Sequence, residues 1–178
     1  QLTLFPTARK GYSMKGEAHD VHLKKVDVAL MNPPFTKVER GIGHYVDMER
    51  FGSICGKEVG LWAHFIVLAN EFLNGEGIFG GVIPISILRG RESAKIREFV
   101  FSKWTPLYIL KSTFNYGFSE WSEYRDVLFI ARKSEPPKGH RVKFALVKKD
   151  LRKLTATDVS YIGNQLEVSG KLRSEELD

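Results

Sequence analysis

One stretch limits what this chain can fold into: Val26-Asp27-Val28-Ala29-Leu30-Met31-Asn32-Pro33-Pro34-Phe35. Its first part is a run of apolar and β-branched residues, long enough for one buried strand of a parallel sheet. The run stops at an amide followed by two prolines. Neither proline can donate a backbone hydrogen bond, and each biases the residue before it toward extended geometry. The chain therefore leaves the sheet as a stiff spur, with Asn32 at its base and Phe35 at its tip. In open α/β sheets, the space just outside the carboxyl end of a strand is where ligands bind.

A spur of this kind has a specific chemistry. The side-chain carbonyl of Asn32 and the backbone carbonyl of Pro33 are two convergent acceptors, and they match the two hydrogens of an exocyclic amine. Phe35 supplies a flat apolar face on which a planar ring can stack. For the tetrapeptide alone, a plain strand-to-loop exit is the alternative, because Asn and Pro are common turn residues.

Residues 60–74 carry the clearest helical pattern. Leu61, Phe65, Leu68 and Phe72 recur at helical spacing, with Trp62, Ile66, Ala69 and Leu73 beside them. So wide a stripe implies packing on a sheet, and Gly75 stands where a C-terminal cap belongs. Gly75-Glu76-Gly77-Ile78-Phe79-Gly80 spells G-x-G-x-x-G, but a dinucleotide fingerprint needs a strand before it and a helix after it. Here a helix precedes and a strand, 78–83, follows, so these glycines read as a helix stop, a turn and close packing. The strand leaves through Pro84-Ile85-Ser86. A second helix is expected over 91–103, with Ala94, Ile96, Phe99 and Val100 inward and Trp104-Thr105-Pro106 as its stop. Residues 107–112 and 126–132 are strand-like, and 142–147 alternates loosely enough for another strand.

With this order on the page, Asn-Pro-Pro-Phe after a buried strand resembles the catalytic motif of amino-methyltransferases, above all the N6-adenine DNA methyltransferases of restriction–modification systems. The family motif reads Asn/Asp/Ser-Pro-Pro-Tyr/Phe. The resemblance covers about residues 24–133 and is strongest at 32–35. It implies that Asn32 and Pro33 hold the target amine, that Pro34 is the rigid link, and that Phe35 stacks on a flipped-out base. It also implies S-adenosylmethionine as cofactor and DNA as partner. An aromatic between the last two strands of that fold meets the far face of the base; Phe114, Phe118 and Trp121 are the candidates. Ile85 stands where the family usually carries a polar residue.

The connection over 36–57 is long and holds Gly41, Gly43, Gly52 and Gly56, with a short helix expected near 45–51. Lys37, Arg40, His44 and Arg50 give it a basic cast that suits phosphates, with an ordinary solvated loop as the equal alternative. Net charge is +6, which permits a nucleic-acid partner without demanding one. The same two readings, DNA-backbone contact or solvated face, hold for Lys138, Arg141, Lys143, Lys148, Lys149, Arg152 and Lys153. His19 and His22 have no second cluster to complete a metal shell, so no metal is expected. Cys55 is the only cysteine, which excludes an internal disulfide and fits a cytoplasmic setting. No run nears the roughly 18 apolar residues of a membrane span, and no signal peptide opens the chain.

The expected fold is α/β, a partial Rossmann-like methyltransferase sheet. The resemblance implies that strand 26–31 lies beside 78–83, then 126–132 antiparallel, with 107–112 at the edge and helices 60–74 and 91–103 flanking. No strand–glycine turn–helix precedes Val26 or follows Asp126, so the cofactor-binding half is expected outside this chain. Residues 1–25 then form a segment of uncertain structure, 26–150 the catalytic part, and 151–178 an extension toward a target-recognition region. An apolar strand 26–31 without its neighbour invites self-association or cover by residues 2–5. The expected function of the whole protein is adenine-N6 methylation of DNA. RNA guanine-N2 or protein-glutamine methylation, or a non-catalytic DNA-binding or assembly module, are the competing readings.

Overall fold

The computed structural model describes residues 24–36, 48–56, 58–114, 117–118 and 125–168. Five strands form one open sheet: β1 (Val26–Met31), β2 (Leu73–Pro84), β3 (Thr105–Ser112), β4 (Asp126–Arg132) and β5 (Lys143–Val147). Their order is β1-β2-β4-β3-β5. β1 runs parallel to β2, β4 runs antiparallel to both β2 and β3, and β5 is parallel to β3. The helices are α1 (Met48–Cys55), α2 (Leu61–Phe72), the single turn α3 (Ser86–Arg89), α4 (Ala94–Lys103) and α5 (Ala156–Val168).

The core lies between one sheet face and helices α1, α2 and α4. Phe79 sits at its centre, with its ring 5.1 Å from Trp104 and 6.4 Å from Phe129. All three are fully buried, and each such aromatic removes 150–250 Å² from water. The indole N–H of Trp104 donates to Asn70 Oδ1 at 2.8 Å, which satisfies the one polar atom this packing would otherwise strand. On α2 the deeply buried residues are Leu61, Trp62, Ala63, His64, Ile66, Val67 and Ala69. Of the two apolar rows read along this helix, the one through Trp62, Ile66 and Ala69 faces the sheet; Phe65, Leu68 and Phe72 are only half-buried.

Several sequence expectations shift. α2 ends at Phe72, and β2 begins at once, five residues before 78. Gly75 is not the helix cap. The capping position is Leu73, in extended geometry, and the ammonium of Lys133 donates to the carbonyls of Asn70 and Leu73. A cation on the last carbonyls does the work a left-handed glycine does elsewhere. Between Val26↔Leu73 and Val28↔Ile78 the register jumps, and Glu76 in this excursion takes a φ of 64°. All three glycines of G-x-G-x-x-G lie in β2, so Gly75 and Gly77 are strand residues and not the helix stop and turn expected of them.

α4 buries Ile96 and Val100, with Phe99 half-buried, but Ala94 is exposed. At 100° per residue, Ala94 stands about 200° around the helix from Ile96. The helix near 45–51 appears a few residues later, as α1. The strand over 107–112 is not at the edge, because β5 pairs outside it from Tyr108↔Lys143 to Ser112↔Val147. Among the described residues, the edge at the other side is β1. Val26, Val28 and Leu30 are 41%, 54% and 79% exposed, so this is not the buried strand expected: only Ala29 and Met31 are half-buried. Residues 2–5, His19 and His22 lie outside the described residues.

Candidate active site

The exits of β1, β2 and β3 and the start of β4 share one end of the sheet. Met31 pairs with Gly81, Pro84 with Asp126, and Leu110 with Leu128. Asn32-Pro33-Pro34-Phe35 leaves the sheet at this end. Pro33 is buried and Phe35 half-buried against the core, while Asn32 and Pro34 are exposed. Two residues of the motif thus anchor it, and the amide between sheet and solvent stays open to a ligand.

The start of α2 clasps the motif from below. Leu61 N–H donates to Thr36 O at 3.0 Å. Gly60 lies directly under the carbonyl of Phe35: a Cβ there would meet that oxygen at 2.6 Å and the Trp62 ring at 2.9 Å. Its φ of −67° is ordinary, so glycine is required by space and not by backbone conformation. This requirement is not legible in the sequence, where Gly60 reads only as a helix start.

His64, one turn into α2, is 2% exposed, and neither ring nitrogen has a hydrogen-bond partner among the described residues. Its ring centroid is 6.3 Å from that of Phe51 on α1. Burial holds its pKa below the usual imidazole value, which keeps the ring neutral at pH 7. Burial likewise pushes the Cys55 thiol up to about 12; such a thiol is not a nucleophile.

Three strands along, a cavity of about 240 Å³ opens at the same end, lined by Ser112, Phe114, Gly117, Arg125 and Asp126 among others. Phe114 is 41% exposed on its rim, and its N–H donates to Ser112 Oγ. Phe118 is half-buried, and its N–H donates to Asp126 Oδ1 at 2.7 Å. Asp126 is 2% exposed. In the sequence it reads only as the first residue of a strand; its bond to the Phe118 N–H joins positions eight apart. Lys37, Arg40 and Trp121 lie outside the described residues. The structure therefore brings together Asn32, Pro33, Pro34 and Phe35, and sets Phe114 and Phe118 on the same sheet end.

Among the described residues, β1 is flanked on one side only and no strand–glycine turn–helix is present. The described residues thus do not supply the glycine-rich turn on which the nucleoside of S-adenosylmethionine would sit. Nor do they contain a group of three or more His, Cys, Asp or Glu suited to a metal ion. No described helix is long and apolar enough to cross a membrane.

No family model and no curated protein matches this sequence. Solved structures do. A putative class I S-adenosylmethionine-dependent methyltransferase from Listeria monocytogenes superposes with a TM-score of 0.59 at 18% identity, over 84% of this chain and 44% of its own. The methyltransferase subunit of a type I restriction-modification system from Streptococcus thermophilus gives 0.57 at 19% identity, over 82% and 32%. A modification subunit of a putative type I restriction enzyme from Vibrio vulnificus gives 0.55 at 19%, over 82% and 32%. The chain thus spans less than half the length of each. The five-stranded mixed sheet and its flanking helices have the fold of class I S-adenosylmethionine-dependent methyltransferases.

Proposed function

We propose that the protein to which this chain belongs is a DNA adenine-N6 methyltransferase of the restriction–modification kind, and that residues 26–150 form its catalytic part. The single observation that carries this reading is Asn-Pro-Pro-Phe at the carboxyl exit of β1, held open at Asn32 and anchored at Pro33 and Phe35. S-adenosylmethionine, bound by residues outside those described, supplies the methyl group. The side-chain carbonyl of Asn32 and the backbone carbonyl of Pro33 accept the two hydrogens of the target amine. That favours a more tetrahedral nitrogen, whose lone pair is withdrawn from ring conjugation and aimed at the methyl donor. Phe35 supports one face of the extruded base, with Pro34 fixing its distance from Asn32. Lys37 and Arg40 contact the DNA backbone, and residues 151–178 lead toward a target-recognition region.

The test is methyl transfer by the full-length protein, with labelled cofactor, to DNA, RNA and protein. Label in DNA at adenine N6, lost in Asn32→Ala with DNA affinity largely kept, is the expected result, because phosphate contacts supply most of that affinity. Label confined to RNA or protein would refute the choice of substrate. Unchanged methylation in Asn32→Ala would remove that residue from the mechanism.

A further inference from the structure

The basic residues from 138 to 153 read alike in the sequence, but the fold separates them. β5 is parallel to β3, and β3 runs with β2 and β1 across the antiparallel β4. The start of β5, preceded by Lys138 and Arg141, is therefore at the far end of the sheet. Its exit at Lys148 is at the end that carries Asn32. At about 3.3 Å per residue, the five residues of β5 set those ends roughly 16 Å apart, more than the Debye length of about 8 Å at physiological salt. Lys149 pairs with Asp158 at the start of α5 at 2.7 Å, and Lys143 donates to Leu166 O near its end at 2.6 Å. α5 thus runs back down along β5, and the turn between them, with its 3-10 segment Leu151–Lys153, stays at the Asn32 end. There Arg152 pairs with Asp150 at 3.3 Å. Lys148 and Lys153 are exposed and have no ion-pair partner among the described residues. Between them and β1 lies the cavity at the exit of β3 and the start of β4, whose lining includes Lys111, Arg125, Ser112 and Thr113. Its acidic lining residue, Asp126, is 2% exposed and accepts the Phe118 N–H.

We propose that this end of the sheet is a phosphate track. A DNA strand whose target base lies at Asn32 runs over the exits of β2, β4 and β3, sets a phosphate at Lys111 and Arg125, and reaches Lys148 and Lys153 beyond β5. This rests on the methyltransferase reading above and deepens it, by fixing the direction in which the duplex crosses the sheet. Four interstrand steps separate β1 from β5, and at about 4.8 Å each they span roughly 19 Å. B-DNA rises about 3.4 Å per base pair, so the phosphates at Lys148 and Lys153 lie roughly five to six base pairs from the target. Cations at such a distance add affinity and fix register without reading sequence. Lys138 and Arg141 carry the same charge at the wrong end of β5 and take no part.

The experiment measures binding of the full-length protein to target and non-target duplexes from about 50 to 200 mM salt. Lys148→Ala/Lys153→Ala is compared with Lys138→Ala/Arg141→Ala, which removes the same two charges from the other end. The first pair should weaken binding to both duplexes at least about fivefold and reduce the slope of log Kd against log salt by about one to two. The second should stay within about twofold of the parent with the slope unchanged, because salt screens charges so far from the track. Single methylphosphonate linkages, which remove one phosphate charge each, are then placed along the target duplex, its adenine located by sequencing modified DNA. Linkages roughly five to six base pairs to one side of that adenine should weaken the parent and leave Lys148→Ala/Lys153→Ala unaffected. Lys111→Ala/Arg125→Ala should behave like the first pair, with its sensitive linkage nearer the target, at roughly three to four base pairs. Equal losses in the two end pairs would mean that net charge alone acts. That result, an unchanged slope in Lys148→Ala/Lys153→Ala, or the same methylphosphonate pattern in parent and variant, overturns the track. Label at adenine N6 in DNA, lost in Asn32→Ala, keeps the methyltransferase reading whatever these slopes show. Label confined to RNA or protein overturns that reading and the track with it.

Discussion

The carbonyl oxygen of Phe35 occupies the space that a side chain at position 60 would need, 2.6 Å from where the Cβ of Gly60 would stand. The motif and the start of α2 are therefore in backbone contact, and neither can move without the other. Gly60→Ala should push the Phe35 carbonyl aside and cost about 1–3 kcal/mol through overpacking. In the full-length protein it should also lower methyl transfer, with DNA affinity nearly unchanged. Thermal melts and single-turnover kinetics read the two effects, and an unchanged melting temperature would show that the clasp is slack.

His64 predicts a pH dependence with a definite sign. Its pKa is lowered in the folded state from 6.5, so below pH 6.5 the unfolded chain binds a proton that the folded chain resists. Stability is level with respect to this group above 6.5. It falls on acidification below that value, at up to about 1.4 kcal/mol per pH unit, until the lower folded pKa is reached. His64→Leu should remove that slope. It should also raise stability at pH 7 by about 1 kcal/mol, because two unpartnered nitrogens leave the core. Denaturant titrations at pH 5.5 and 7.5 make the comparison; equal slopes in both proteins would clear His64 of the effect.

Lys133 donates to the carbonyls of Asn70 and Leu73 from a half-buried position. Replacing it with Met keeps the stem and leaves the end of α2 uncapped, for an expected loss of about 1–3 kcal/mol. Lys133→Arg should recover part of this. Equal stability of the Met variant and the parent would mean that water serves those carbonyls as well.

The β1 edge carries Val28 and Leu30, 54% and 79% exposed. As an isolated 178-residue chain the protein should self-associate in a concentration-dependent way, since an open apolar edge is a template for another strand. Leu30→Lys should shift the sedimentation profile toward monomer. If parent and variant sediment alike, the edge is covered.

The isolated chain should not bind S-adenosylmethionine with a Kd in the micromolar range or below, about −8 kcal/mol. Calorimetric titration is the direct measurement. Tight stoichiometric binding would reveal a cofactor site involving residues 1–25.

What the sequence determined by itself is the frame of the site. An apolar run stopped by Asn-Pro-Pro reads as a strand exit, because two successive prolines leave the ladder without donors. The period of α2 and the helix-then-strand context of the three glycines are local signals of the same kind. The order β1-β2-β4-β3 and the antiparallel run of β4 came from the family resemblance that the motif and these signals carry, not from the signals themselves. Tertiary structure alone decided the rest. Which apolar row of α2 is deepest depends on where the sheet lies. Whether Gly75 caps α2 depends on Lys133, 58 positions beyond it in the sequence, and whether β3 is an edge depends on β5. That Gly60 is indispensable, that His64 is stranded and that Asp126 holds Phe118 follow from contacts across the fold, and such contacts leave no periodicity in the chain that makes them.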